Sequence, residues 1–452
     1  MRPSPDGLSA ALLHEVAETW GTPVYVLSPQ RLRANLDTLA RALAPARILY
    51  SLKTNYLPAV TTMLRAAGAG VDVVSGYELR AALDAGFPTD RIVFNGPVKT
   101  AAELRDAVDA GVFVNIDGEE EIEILSRLAA GRAEPLPVGL RVYPPEDVYP
   151  SVDRYPPGAP YPEPGDRPVR RLPSKFGWPI ATGDADRMVE RILDCSALRL
   201  TGVHCHLGSQ ITRTDALLAA MGSLIGWVAE LRRRAPVERL NVGGGIGVPG
   251  IQRIPGAVAG LSEVRAAREE PPPPPLSVPG FGAGLRELLR AYGLTGLTLE
   301  CEPGRALVSD AMALVTRVVG VKRTGQGTWV LLDGGLNLLP TAGVAERHRY
   351  ELLRDGTSRA PEEPVMLGGP LCYEGDVFSL TADLPGDVHT GDVVVVHDAG
   401  AYSVTRATSF NRPRIPVVAV SDGRSALCWR GESYEDIFRF AVAPGRHAQE
   451  VA

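Results

Sequence analysis

Up to about residue 302, short apolar runs alternate with amphipathic stretches in a strand, turn, helix rhythm. The strand-like runs are RILYSLK, GVDVV, RIVFN, VFVNI, PVGLRVY, LTGVHCH, ERLNV and LTLECE, in that order. Stretches such as AELRDAVDAG, EEEIEILSRLAAG and DALLAAMGSLIGWVAELRRRA separate most of them. These place apolar residues at i, i+3 and i+4, which predicts helices with one buried face. Eight such runs predict an α/β fold, a (β/α)8 TIM-type barrel, with a doubly wound sheet as the competing arrangement. After residue 303 the helical period fades. AMALVTRVVGVKR, GTWVLLDGG, GDVVVVHDAGAY, RIPVVAVSDG and RSALCWRG read as strands joined by tight turns, and TPVYVLSP near the start has the same character. The expectation is a barrel over 37–302, and a C-terminal β-domain, sandwich or barrel, formed by 303–452 together with 1–36 and its N-terminal strand.

Two Pro-rich stretches interrupt the barrel pattern, at 143–172 and 248–280. The run of five prolines in the second predicts a stiff extended spacer. Each follows a barrel strand on the face where active sites form, so each reads either as a disordered insertion or as a lid.

Composition narrows the class. The 452 residues exceed one ordinary core and suit two domains, while a net charge of -6 with 45% apolar residues describes a soluble globular protein. No basic stripe points to nucleic acid, and no apolar run of membrane-spanning length stands out. The start lacks the layout of a signal peptide, and five irregularly spaced cysteines form no disulfide framework, which predicts a reducing cytoplasm. Arginine fills nearly every cationic position: of 47 Lys and Arg, only Lys53, Lys99, Lys175 and Lys322 are lysines. Chemistry that needs a primary amine has four candidates.

Lys53 ends the first strand, where apolar surroundings can depress an amine and suit it to Schiff-base chemistry. A surface lysine at a strand end is the plain alternative. NVGGGIG, 241–247, follows a strand, and its backbone N–H groups can cradle a phosphate or simply form a tight turn. LECEPGR, 299–305, brings Glu302, suited to a protonated ring nitrogen, and Arg305, whose fork suits a phosphate; an ion pair at a domain junction is the alternative. In HCHLGSQ, 204–210, His204 and His206 share a strand face. Without a nearby acidic or cysteine partner they read as a stacking imidazole rather than a metal site, with Ser209 as a phosphate ligand. Together these residues supply an amine, a phosphate cradle, a ring-nitrogen partner and a stacking ring at barrel-strand ends, a set that suits pyridoxal 5′-phosphate.

The ordered motifs YSLKTN, DVVSGYEL, SKFG, HCHLGSQ, GGGIG, EPGR, GPLCYEGD and GAYSVTRATSFN resemble those of the fold-type III pyridoxal-phosphate decarboxylases, which include diaminopimelate, ornithine and arginine decarboxylases. The resemblance spans roughly residues 20–430. It implies that Lys53 carries the cofactor as a Schiff base with Asp72 nearby, that His206 stacks on the ring, and that Glu302 holds the ring nitrogen. It implies phosphate contacts from Ser209, Gly243, Gly244, Gly245, Arg305 and Tyr402. It also implies a homodimer with shared sites, in which Cys372 crosses from the partner to protonate the substrate carbon. Asp333, Tyr373, Glu374 and Asp376 are the expected contacts to an amino-acid substrate, free, conjugated or carrier-linked.

Two departures bear on that substrate. Diaminopimelate decarboxylases commonly follow this cysteine with Glu-Ser and ornithine enzymes with Asp; here Tyr373 follows, with Glu374 one place later. After DGGLN, 333–337, the chain reads LLPTAGVAERHRYE and lacks the family's Arg-Pro plus Tyr segment. These departures predict a conjugated amino acid of siderophore or antibiotic-type biosynthesis, with Arg347, His348 and Arg349 as receivers of extra carboxylates or as a solvated basic turn. Decarboxylation of meso-diaminopimelate, racemisation and a non-catalytic regulatory relative are the alternatives.

Overall fold

The computed structural model describes residues 8–144, 174–253, 276–342, 346–354 and 364–441. Eight parallel strands succeed one another around a ring: Arg47–Ser51, Gly70–Val73, Ile92–Phe94, Phe113–Ile116, Leu136–Tyr143, Leu198–His204, Arg239–Asn241 and Thr298–Cys301. Thr298–Cys301 pairs with Arg47–Ser51, which closes the ring and rules out the doubly wound sheet with its two open edges. These strands coincide with the eight apolar runs of the sequence, two of them starting one or two residues earlier, at Leu136 and Leu198.

The outer helices form where the polar-apolar period and the capping residues agree. Ala101–Ala110 buries Leu104, Ala107 and Val108. It starts at Thr100, whose backbone N–H and hydroxyl exchange hydrogen bonds with Glu103, and stops at Gly111 in a left-handed conformation (φ 75°). Thr214–Leu231 is long and apolar enough, by length and composition, to cross a membrane, a length of apolar chain that the sequence reading passed over. Its buried stripe of Leu217, Met221, Leu224, Ile225, Val228 and Leu231 packs into the core that the barrel shares, as an outer barrel helix does.

Strand register decides which polar residues meet at the carboxyl ends. Ser51 stands opposite Asp72. Arg141 stands opposite His204, and His204 opposite Asn241. Side chains from five strands therefore reach one level at the mouth of the barrel.

The second sheet runs in the order Val377–Ala382, Val365–Gly368, Gly327–Leu332, Met312–Thr324, Val24–Leu27, Val417–Ser421, Arg424–Trp429. Val393–Val396 pairs with Met312–Thr324 and with Tyr350–Leu353. The N-terminal strand joins as expected: Val24–Leu27 lies antiparallel to Met312–Val315 and parallel to Val417–Ala419. Position 37 falls inside the helix Pro29–Leu43, whose Leu32, Leu36, Leu39 and Leu43 belong to the barrel's core cluster. Tyr350–Leu353, Val365–Gly368 and Val377–Ala382 are strands that the sequence pattern did not single out. Most of the two Pro-rich inserts, at 145–173 and 254–275, lies outside the described residues.

Candidate active site

A cavity of about 710 Å³ opens at the carboxyl ends of the barrel strands, and Lys53, Asp72, His204, His206, Ser209 and Glu302 all line it. Lys53 sits in a 3-10 turn, Leu52–Thr54, directly after the first strand. Its Nζ donates to Asp72 Oδ2 at 2.5 Å, and Ser51 Oγ donates to the same oxygen at 3.0 Å. Burial works against the ammonium, but Asp72, with Tyr402 and Glu302 beyond it, carries the net shift upward. The protein alone therefore holds Lys53 as a charged, paired amine. The expected depression of its pKa by apolar surroundings is overturned, because Asp72 stands against it.

Glu302 is buried at the centre of an amide network. Asn241 Nδ2 and Asn95 Nδ2 donate to its Oε1 at 2.7 and 2.8 Å, and His204 Nε2 lies 3.1 Å from its Oε2. Asn95 Nδ2 also donates to Asp72 Oδ1 at 2.7 Å, so one amide bridges the two carboxylates, and Asn115 fixes it by donating to Asn95 Oδ1 at 2.8 Å. Burial opposes charge on Glu302, yet the contacts with His204 and the Lys53 ammonium hold it well below the usual carboxylate range. A buried Glu302 held in its ionised form favours a cationic ring nitrogen beside it.

His206 presents a neutral ring. Desolvation at the cavity wall, reinforced by Arg141 and Lys53, pushes it down to about 3. Gly244 N–H donates to its Nδ1 at 3.1 Å, which leaves the proton on Nε2 and fixes the plane of the ring.

The glycine cluster is built for close packing of chain on chain as much as for a ligand. Gly243 N–H donates to Asn241 Oδ1 at 2.9 Å, and Gly244 N–H is taken by His206. A Cβ at Gly244 would lie 1.9 Å from the Glu302 carbonyl oxygen, and one at Gly243 would lie 2.4 Å from that of Cys205. Two of the three expected phosphate-binding amides thus orient the side chains of the site. Arg305 differs more. Its guanidinium forms a bidentate pair with Glu346, at 3.1 and 2.5 Å, with both partners buried, and it does not line the cavity. Tyr402, in a left-handed conformation (φ 57°), lies beneath that guanidinium, 5.2 Å from ring centroid to Cζ.

Cys372, the expected proton donor, and the expected substrate residues Tyr373 and Glu374 are exposed together, and none of them lines the cavity. Asp333 faces its own sheet, accepting from Thr22 Oγ1 at 2.5 Å and from the Arg317 N–H at 2.9 Å. Asp376 is buried and turned inward, accepting from the N–H groups of Leu336 and Leu371 at 2.7 Å each. The basic run at 347–349 is dispersed: His348 is buried with Nδ1 on the His397 carbonyl, and Arg349 pairs with Glu351.

Sequence reasoning missed Asn95, Asn115, Asn241 and Arg141, polar residues at the ends of otherwise apolar strands. That position was the available signal. Arg141 lines the cavity 3.2 Å from Asp117 with its guanidinium over the Phe176 ring, and Lys175 lines it too. These cations and Ser209 on the cavity wall, with the Lys53 amine and the ionised Glu302, fit the phosphate, aldehyde and ring nitrogen of pyridoxal phosphate in both chemistry and charge.

Comparison with known proteins agrees. Residues 30–151 and 169–309 match the family model of the pyridoxal-dependent decarboxylase, pyridoxal binding domain. The chain is 30% identical to a diaminopimelate decarboxylase of Zymomonas mobilis, covering 94% of each chain. It is 32% identical to one of Actinosynnema pretiosum, over 95% of this chain and 90% of that protein. The crystal structure of a diaminopimelate decarboxylase from M. jannaschii superposes with a TM-score of 0.81 at 27% identity, covering 95% of this chain and 94% of that one. With this cavity on that barrel, the chain belongs to the pyridoxal-dependent decarboxylases and is a carboxy-lyase whose cofactor is pyridoxal 5′-phosphate.

Proposed function

We propose that the protein removes the α-carboxylate of meso-diaminopimelate. The observation that carries the reaction is the paired amine Lys53 facing an ionised, buried Glu302 across one cavity. The choice of substrate is supported by the full-length similarity to proteins named diaminopimelate decarboxylase. Bound pyridoxal phosphate supplies an aldehyde that condenses with amines and a conjugated ring that accepts the electron pair left by departing carbon dioxide.

The chain's own residues set the conditions for that chemistry. Lys53 is the amine that holds the aldehyde and gives way to the substrate amine, and Asp72 takes up and returns its proton. Glu302, anchored by three donors, keeps a proton on the ring nitrogen. His206 offers a flat neutral face, and Arg141 and Lys175 add positive charge for the phosphate. Cys372 is exposed and apart from the cavity of its own chain, which supports a role in the site of a second copy, where it delivers a proton to the carbon that lost its carboxylate. Glu374, beside it, would accompany the thiol into that site and meet a distal ammonium there.

The test is incubation of the purified protein and pyridoxal phosphate with meso-diaminopimelate, following carbon dioxide and L-lysine. Stoichiometric release of both is expected; carbon dioxide from other amino acids with no lysine from this one would overturn the substrate. A conjugated amino acid is the second reading. Tyr373 favours it, packing edge-on against Phe410 (centroids 5.7 Å apart) where the resemblance places an acid.

A further inference from the structure

The loop that carries Cys372 connects two antiparallel strands, Val365–Gly368 and Val377–Ala382. Turn hydrogen bonds organise it: Tyr373 N–H donates to the Leu371 carbonyl at 2.9 Å and Gly369 N–H to the Asp376 carbonyl at 3.0 Å. At its base lies a carboxylate 5% exposed, that of Asp376. One oxygen accepts from the N–H of Leu371, the residue immediately before Cys372, and the other from Leu336, in the turn after Gly327–Leu332, at 2.7 Å each. Among the described residues no cation pairs with it, and burial raises its pKa against the opposing pull of those two amides.

A buried carboxylate without a cation is costly, so its place needs a reason beyond packing. The surrounding glycines show how closely the site is built. A Cβ at Gly369 would lie 2.3 Å from Asp376 Oδ2 and 2.6 Å from the Gly335 Cα, and one at Gly335 would lie 3.0 Å from both carboxylate oxygens. Two backbones therefore converge on one side chain. We propose that Asp376 is the positioning residue of Cys372: its carboxylate ties the amide preceding the thiol to the Leu336 turn and so fixes where the thiol stands. This reassigns Asp376 from substrate contact to support, and rests on the reading of Cys372 as the proton donor.

The test compares wild-type holoenzyme with Asp376→Asn, which keeps the shape but turns an N–H toward one of the two amides, and with Gly369→Ala, which crowds the carboxylate from the other side. Turnover, KM, the visible absorbance of bound pyridoxal phosphate and the rate at which iodoacetamide alkylates Cys372, resolved by peptide mass, are measured on each. The expected result is a kcat lowered by about 10²-fold, the scale set by a displacement of about 1 Å, with KM and absorbance retained and the Cys372 alkylation rate altered several-fold. Wild-type kcat and alkylation in Asp376→Asn would overturn the proposal. So would a fall in kcat with unchanged alkylation, or loss of the absorbance, since the effect would then not act through the thiol's position. Full turnover by Cys372→Ala would instead remove the proton-donor role alone, because the alkylation comparison tests the positioning by itself.

Discussion

Within the cavity the Asp72 carboxylate holds Lys53 charged against burial, and desolvation holds His206 neutral. Lys53→Ala removes the amine that anchors the aldehyde, so the visible absorbance of the bound cofactor should vanish and turnover with it; a variant that keeps the absorbance would show that another amine serves. His206 makes a prediction about pH. Its folded pKa of about 3 lies below the ordinary value of 6.5, so between the two the unfolded chain holds a proton that the folded chain does not. Stability therefore rises with pH across that window and is lost as pH falls through it. Cofactor-free His206→Gln should lose less stability than wild type between about pH 7 and about pH 4.5, read from urea midpoints. An equal loss in both would show that the ring carries no such penalty.

At the scale of elements, strand register does the work that no single motif reveals. Asn95, Asn115 and Asn241 come from three strands, yet form one network around Glu302 and Asp72. Asn95→Leu leaves two buried carboxylates facing each other without the bridging amide, at a cost of about 1–3 kcal/mol for each unsatisfied group. Weaker pyridoxal-phosphate binding in a folded protein is the expected result, measured by titrating the visible absorbance; unchanged affinity would remove Asn95 from the site. The strand ends themselves were legible in the sequence, because apolar runs separated by i, i+3, i+4 periods leave few arrangements. The asparagines were not, since their roles depend on which strands become neighbours when the ring closes. The buried partner of Arg305, Glu346, lies 41 residues along the chain, and no local pattern announces it either. Tyr350–Leu353 and Val365–Gly368 escaped notice for a related reason: they are short, and they pair with Val393–Val396 and Gly327–Leu332, which lie well away along the chain.

For the whole molecule, the separation between the Lys53 cavity and the exposed Cys372 loop sets the question. One chain holds the cofactor-binding residues in a closed barrel and displays the thiol elsewhere, on the second sheet's hairpin. If a second copy supplies the thiol, mixing two dead variants should restore activity. A Lys53→Ala chain retains its thiol, and a Cys372→Ala chain retains its amine, so a mixed dimer has one site with both groups and one with neither. Random exchange makes half the dimers mixed, which predicts about a quarter of the wild-type rate in a two-fold symmetric assembly. Each variant alone should be nearly inactive, and subunit exchange is verified by mass before the assay. A mixture that exchanges and stays inactive would place thiol and amine in sites built from one chain; recovery near a quarter would make the dimer the smallest catalytic unit.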